Sequence, residues 1–110
     1  MKMAVNEIFL DYISGILSKL EGFHVRKMFG GAGLYIGNTI FGIVYESDLY
    51  LKTDSTIEGN FIEKGMGRFI PYPNRKMTMP YFEVPPEVLE DDDELLDWSR
   101  RSLVISGNKK

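Results

Sequence analysis

Residues 24–53 read HVRKMFGGAGLYIGNTIFGIVYESDLYLKT, a stretch that is rich in β-branched and aromatic residues. Two short pairs, Gly37-Asn38 and Ser47-Asp48, divide it, and such pairs are typical of tight hairpins. The stretch therefore predicts consecutive antiparallel strands. The expected extended runs are His24–Ile36, Thr39–Tyr45 and Leu49–Thr53.

The three runs differ in their apolar pattern. The middle run is almost continuously apolar, which predicts a central strand that is covered on both faces. The third run alternates, with Leu49 and Leu51 on one face and Tyr50 and Lys52 on the other. The first run is interrupted by GGAG at 30–33, which predicts a bulge or a close backbone approach within one strand.

Amphipathic helices are predicted on both sides of this stretch. Apolar residues recur with helical spacing over 5–20, and a second such helix is expected from about Asp92 to Ile105. The two apolar stripes contain Val5, Ile8, Phe9, Tyr12, Ile13, Ile16, Leu17 and Leu20, and Leu95, Leu96, Trp98, Ser99, Ser102, Leu103 and Ile105.

Residues 55–92 predict shorter elements. Ser55 and Glu58 have the spacing of a capping box, which would open a short helix. Pro86 suits the first turn of a helix that contains Val88 and Leu89. The remaining predictions are extended pieces around Arg68–Tyr72 and Met77–Val84, joined by a turn at Pro73-Asn74.

These elements predict a two-layer α+β domain with the order α-β-β-β-α-β-β-α, in which helices cover an antiparallel sheet. The length of 110 residues fits one domain spanning 1–110, and a hydrophobic content of 44% is sufficient for a core. The absence of cysteine excludes disulfides, thiolate metal sites and a cysteine nucleophile. No apolar run is long enough to cross a membrane, and Glu7 and Asp11 argue against a signal peptide, so we expect a cytoplasmic protein.

The charge is distributed unevenly along the chain. Residues 83–97 hold eight acidic residues and no basic ones, which leaves 13 basic and 16 − 8 = 8 acidic residues elsewhere. A dedicated DNA-binding protein normally has a basic excess, because phosphate contacts supply most of the affinity. The net charge of −3 therefore predicts that direct DNA binding is weak or absent.

No residue pattern indicates catalysis, a metal or a cofactor. His24 has no second His or Cys with which to share a metal, so a solvated residue at a strand end is favoured. A phosphate-binding loop at 30–33 is disfavoured, because a strand rather than a helix is predicted to follow it. We therefore expect a protein that is not an enzyme.

One segment is a candidate interaction surface. Residues 25–31 place two cations, a Met and a Phe directly before the glycines, and irregular strands often lie near binding sites. A purely structural kink is an equally good interpretation. The candidate contact residues are Arg26, Lys27, Met28, Phe29, Gly30 and Gly31.

Several blocks of the chain resemble the TfoX N-terminal domain family. The resemblance begins with RKMFGGAGLY at 26–35 and continues, in order, over nearly the whole chain. The other matching residues are Phe41, LYLK at 49–52, Phe69 before Tyr72, MPYFEVP at 79–85, and LLDWSRR at 95–101.

The resemblance implies a fold similar to that of secretion chaperones and a regulatory role without catalysis. Named members of the family regulate DNA uptake and competence in bacteria. The resemblance thus implies a protein partner, with a transcription activator as one candidate, and it leaves a homodimer open. An alternative from another class is a small-molecule-binding domain or minor enzyme that uses a cleft beside the sheet.

Overall fold

A computed structural model describes residues 6–28, 30–69 and 80–107 of the chain. The predicted α+β class is confirmed, since helices pack on an open antiparallel sheet. The elements are α1 (Glu7–Leu17), β1 (Phe23–Met28), β2 (Gly31–Ile36), β3 (Thr39–Tyr45), β4 (Asp48–Lys52), α2 (Glu58–Ile62), β5 (Tyr81–Glu83), α3 (Pro86–Leu89) and α4 (Asp92–Gly107).

The sheet has five antiparallel strands in the order β1-β2-β3-β4-β5. Our prediction of one strand over His24–Ile36 is wrong, because this run forms both β1 and β2. Met28 pairs with Gly31, and Gly30 between them has a φ of 78°, a conformation that side chains with a Cβ resist. The glycines thus reverse the chain rather than bend one strand, and the predicted order lacks this hairpin.

A bulge does occur, but it lies in β3. Leu34 pairs with Gly42 and Tyr35 pairs with Ile40, so Phe41 is an extra residue. Gly42 is required there, because a Cβ would lie 3.1 Å from the Tyr50 carbonyl oxygen and 3.2 Å from the Leu51 side chain. The bulge keeps Phe41 and Val44 together in the main core.

The main core lies between the helices and one face of the sheet, which we call the helix-side face. The predicted alternation of β4 is confirmed, with Leu49 and Leu51 buried in this core and Tyr50 half-buried on the opposite face. We call that opposite face the outer face. It carries a smaller cluster of Ile43, Phe69 and Tyr81, against which Ile40, Tyr45 and Tyr50 pack.

Helix α1 confirms the predicted N-terminal helix. The Asn6 side chain caps it by accepting a hydrogen bond of 3.1 Å from the Phe9 backbone N–H. Two residues of the predicted apolar stripe are exposed, however: Ile8 by 83% and Tyr12 by 45%. The buried side of α1 carries Leu10, Ile13, Ile16 and Leu17, so it is displaced from the predicted stripe, which did not include Leu10.

The predicted capping box at Ser55 and Glu58 is wrong. The Asp54 carboxylate instead accepts a hydrogen bond of 2.8 Å from the Thr56 backbone N–H, and its backbone carbonyl accepts one from Glu58. Aspartate competes well for such turn positions, because its carboxylate reaches a backbone N–H two residues later. Glu58 is thereby free to pair with Arg68 at 3.1 Å.

Helices α3 and α4 follow the predictions closely, although α4 extends to Gly107. The buried side of α4 consists of Leu95, Leu96, Ser99, Ser102 and Ser106. Trp98 lies at the margin of the core, where its ring meets Phe61 edge-on at 4.8 Å and its indole N–H donates to Glu94 Oε1 at 3.1 Å.

The two late strands are described only in part. Tyr81–Glu83 forms β5, and Arg68 makes a single β-bridge to Phe82. Residues 70–79, which include the predicted turn at Pro73-Asn74, lie outside the described residues. Over the ranges that are described, no helix is long and apolar enough to span a bilayer.

Candidate functional site

The candidate contact residues lie at the first hairpin of the sheet, but they do not form one surface. Alternation along β1 sends Arg26 and Lys27 to opposite faces of the sheet. Arg26 lies on the outer face, in a row across the five strands that continues through Gly33, Ile43, Tyr50 and Glu83. Any partner that contacts both cations must therefore reach around the edge of the sheet.

Arg26 is exposed, and an aromatic ring holds it in place. The strand register puts Gly33 opposite it, so no side chain blocks the neighbouring position on β2. The guanidinium carbon of Arg26 lies 5.4 Å from the centroid of the Tyr35 ring, a cation–π distance. Arg26 makes no ion pair with any described residue, so its charge remains available to a ligand.

His24 shares the same tyrosine. It pairs with Tyr35 across the hairpin, and the two rings stack at 5.5 Å with an interplanar angle of 13°. Its Nδ1 lies 3.3 Å from the Gly22 carbonyl oxygen. Tyr35 therefore arranges two exposed nitrogen-bearing side chains on the outer face.

Lys27 has a different environment, since its ammonium group forms a salt bridge to the Glu7 carboxylate at the start of α1. Both side chains are about 60% exposed, at 59% and 60%, so the pair contributes little to stability. Its main effect is to hold Lys27 toward the helix side of the sheet.

The other candidate residues are backbone positions or are not described. Gly30 is exposed at the turn, Gly31 is buried at the start of β2, and Phe29 lies outside the described residues. Met28 pairs with Gly31 through its backbone. Gly30 and Gly31 thus build the hairpin that positions Arg26.

The two edges of the sheet differ in backbone pairing. The chain covers β5, because Phe69 N–H donates to the Tyr81 carbonyl at 2.8 Å and Glu83 N–H donates to the Gly67 carbonyl at 3.0 Å. Beyond its ladder with β2, β1 makes only the bond from Phe23 N–H to the Leu20 carbonyl among the described residues. We call the unpaired side of Phe23–Met28 the β1 edge.

Acidic groups dominate the other end of the outer face. Burial, followed by the charges of Asp48, Glu83 and Glu46, raises the pKa of Tyr50 to about 12. Burial and the nearby Asp48 also raise the pKa of Glu83. The outer face therefore carries the cation Arg26 at β1, whereas at β4 and β5 the carboxylates of Glu46, Asp48 and Glu83 outnumber the single base of those strands, Lys52.

Sequence reasoning identified Arg26 and Lys27 but missed Tyr35 and Glu7 as their partners. The glycine pair was the signal that could have revealed Tyr35. A tight turn at Gly30 sets Met28 opposite Gly31, and this fixes every other pair of the hairpin. That register would have placed His24 opposite Tyr35. A contact between helix and strand, such as that of Glu7 with Lys27, has no comparable local signal.

Comparison with known proteins places the chain in a family. The profile of the TfoX N-terminal domain matches residues 15–105, and the chain belongs to that family. The chain is also similar to the DNA transformation protein TfoX1 of Aliivibrio fischeri, with 28% identity over 122 aligned positions. That alignment covers all of this chain and 58% of the relative, so the chain spans little more than half of that protein's length.

Proposed function

We propose that this chain is a non-enzymatic protein-interaction module that acts in the control of DNA transformation. The observation that carries the proposal is the similarity of the whole chain to a DNA transformation protein. Membership of the TfoX N-terminal domain family supports the same role. We further propose that it acts in the cytoplasm by binding a protein partner. A transcription activator is one candidate for that partner.

The contact surface that we propose is the β1 edge with its two flanking faces. The exposed Arg26 and Lys27 on β1 support this assignment, as does the paucity of backbone partners on that edge among the described residues. Protein binding is favoured over direct DNA binding, because eight acidic residues over 83–97 oppose phosphate contacts.

A chimera tests the role in transformation. This chain would replace the matched part of TfoX1 in Aliivibrio fischeri, and transformation frequency would be measured against a strain that retains only the unmatched part. We expect the chimera to restore transformation above that background. A chimera that accumulates in the cell but transforms no better than the unmatched part alone would contradict the proposal.

A matched pair of variants tests the surface. Arg26→Glu in the chimera should lower transformation, because it reverses the charge of the proposed contact. Arg101→Glu on α4 is the control, since this exposed arginine pairs with Asp97 on its own helix at 3.0 Å. Equal effects of the two variants would contradict the assignment of the surface to β1.

A further inference from the structure

We propose that the β1 edge binds an extended, acidic segment of a partner protein as an added antiparallel strand. The proposal rests on the proposed function and names the chemistry of its partner. Strand addition uses main-chain hydrogen bonds for affinity and alternate side chains for specificity.

Strand β1 is long and, among the described residues, has few backbone partners on the side away from β2. Its six residues span about 20 Å and, within the described ranges, no strand pairs with its outer side. Unpaired strand edges are templates for pairing, and proteins normally shorten or cover them. This chain does so at β5, which has three residues and is covered by residues 67–69, whereas no described residue covers β1 in this way.

The side chains on the two faces of β1 specify the occupant. A paired strand brings its side chains within about 5 Å of those on β1. On the outer face it would meet His24 and Arg26, and the arginine has no carboxylate partner among the described residues. An acidic residue at that position would form a charge-assisted hydrogen bond with the guanidinium group.

The helix-side face of β1 selects apolar residues. Phe23 and Val25 are half-buried there and pack against the main core, so they offer apolar surface to a neighbouring strand. The third β1 residue on this face, Lys27, is already paired with Glu7. The matching segment therefore alternates acidic and apolar residues. Its apolar residues would extend the main core, and its acidic residues would pair with the cation on the outer face.

A second copy of this chain fits the β1 edge poorly in the register that would use Arg26 most directly. Antiparallel pairing of two copies centred on Arg26 would place the two arginines opposite each other. Like charges directly opposite are destabilising. A different, acidic chain meets no such repulsion.

The test uses the whole chain and a blocked six-residue peptide that alternates Val and Glu, matching the length of β1. Amide exchange and chemical shifts would be followed by NMR during titration. We expect binding at or below about 1 mM, with slower exchange confined to the amides of β1 that point away from β2. No binding at that concentration, or protection elsewhere in the chain, would overturn the proposal.

Control peptides separate strand addition from charge attraction. One replaces each Glu with Lys. A second carries N-methyl groups on its Val amides and a third on its Glu amides, so each of these two lacks the main-chain donors along one of its edges. We expect weaker binding of the lysine peptide and of the N-methylated peptide whose blocked edge faces β1. Equal binding of the lysine peptide would overturn the charge argument, and undiminished binding of both N-methylated peptides would overturn strand addition.

Variants of the chain complete the test. Arg26→Glu should weaken binding of the acidic peptide at least about tenfold, whereas Arg101→Glu should leave it unchanged. Thermal unfolding would show that both variants fold. If the chimera restores transformation while the peptide does not bind, strand addition is wrong and the proposed function stands. If the peptide binds while the chimera fails to restore transformation, the proposed function is wrong and strand addition at the β1 edge stands.

Discussion

The two edges of the sheet are built differently. The β5 edge is short, and residues 67–69 cover it with backbone hydrogen bonds and the buried Phe69 ring. The β1 edge is twice as long and carries exposed cations on both faces. Substitutions at the β5 edge should therefore mainly change stability, whereas those at the β1 edge should mainly change binding.

The largest expected effect is at the covered edge. Phe69 is 7% exposed, and its ring lies 4.8 Å from Tyr50 and 5.4 Å from Tyr45. Phe69→Ala should lower the free energy of unfolding by about 3 kcal/mol, because it removes a buried ring and leaves a cavity. Urea denaturation measures this change. A loss below about 1 kcal/mol would mean that the β5 edge needs no such cover.

Glycines at the two edges provide a matched pair. Gly30 at the β1 turn has a φ of 78°, so Gly30→Ala should cost about 1–2 kcal/mol in backbone strain. Gly67 at the β5 edge has no positive φ, and a Cβ there would meet nothing within 4 Å. Gly67→Ala should therefore be neutral or slightly stabilising in the same denaturation assay. A larger loss of stability in Gly67→Ala than in Gly30→Ala would contradict the turn at Gly30.

The acidic end of the outer face makes a prediction about pH. The pKa of Tyr50 is raised from 10.0 to about 12, so the folded chain holds this proton after the unfolded chain has lost it. The contribution to stability is complete below pH 10 and is lost as the pH rises from 10 to 12. Because Tyr50 is only partly buried, we expect a loss of about 1 kcal/mol, less than the full shift implies.

Absorbance of the phenolate and denaturation at high pH measure these two effects. Tyr50→Phe should remove one late step of the titration and part of the loss of stability, whereas the step of Tyr81, whose pKa burial also raises, should remain. Glu83→Gln should lower the pKa of Tyr50, since it removes one of the charges that raise it. An unchanged titration in both variants would reject this account of the acidic end.

The smallest expected effect on stability is at the open edge. Arg26→Ala removes only an exposed cation over the Tyr35 ring, so the free energy of unfolding should fall by at most about 1 kcal/mol. Thermal and urea unfolding should nearly match those of the parent chain. A loss comparable to that of Phe69→Ala would make Arg26 part of the folded core rather than a binding residue.

Periodic patterns predicted much of this fold. The helical spacing of apolar residues predicted α1, and the alternation of Leu49 and Leu51 predicted the buried side of β4, and both predictions were confirmed. The buried side of α1 was predicted only in part, since the stripe left out Leu10. The hairpin at Gly30 was missed, because a glycine in an extended run is compatible with a bulge or a turn, and its φ is not visible in the sequence. The exposure of Ile8 was missed because the helical spacing of apolar residues does not show which of them the neighbouring elements cover.

The candidate site was predictable to a similar degree. The residue types at 26 and 27 marked a basic segment, and strand alternation alone would have separated Arg26 from Lys27. The stacking of His24 and Arg26 on Tyr35 depends on the hairpin register, and the salt bridge of Lys27 depends on how α1 packs. Such tertiary contacts leave no local pattern.

Amide hydrogen exchange of the free chain tests the difference between the two edges most directly. We expect alternating exchange along residues 24–28, fast for amides that point away from β2 and slow for those bonded to it. The amides of Phe69 and Glu83, which close the β5 edge, should be protected. Uniform protection along β1 would show that this edge is already covered in the free chain and would contradict the account.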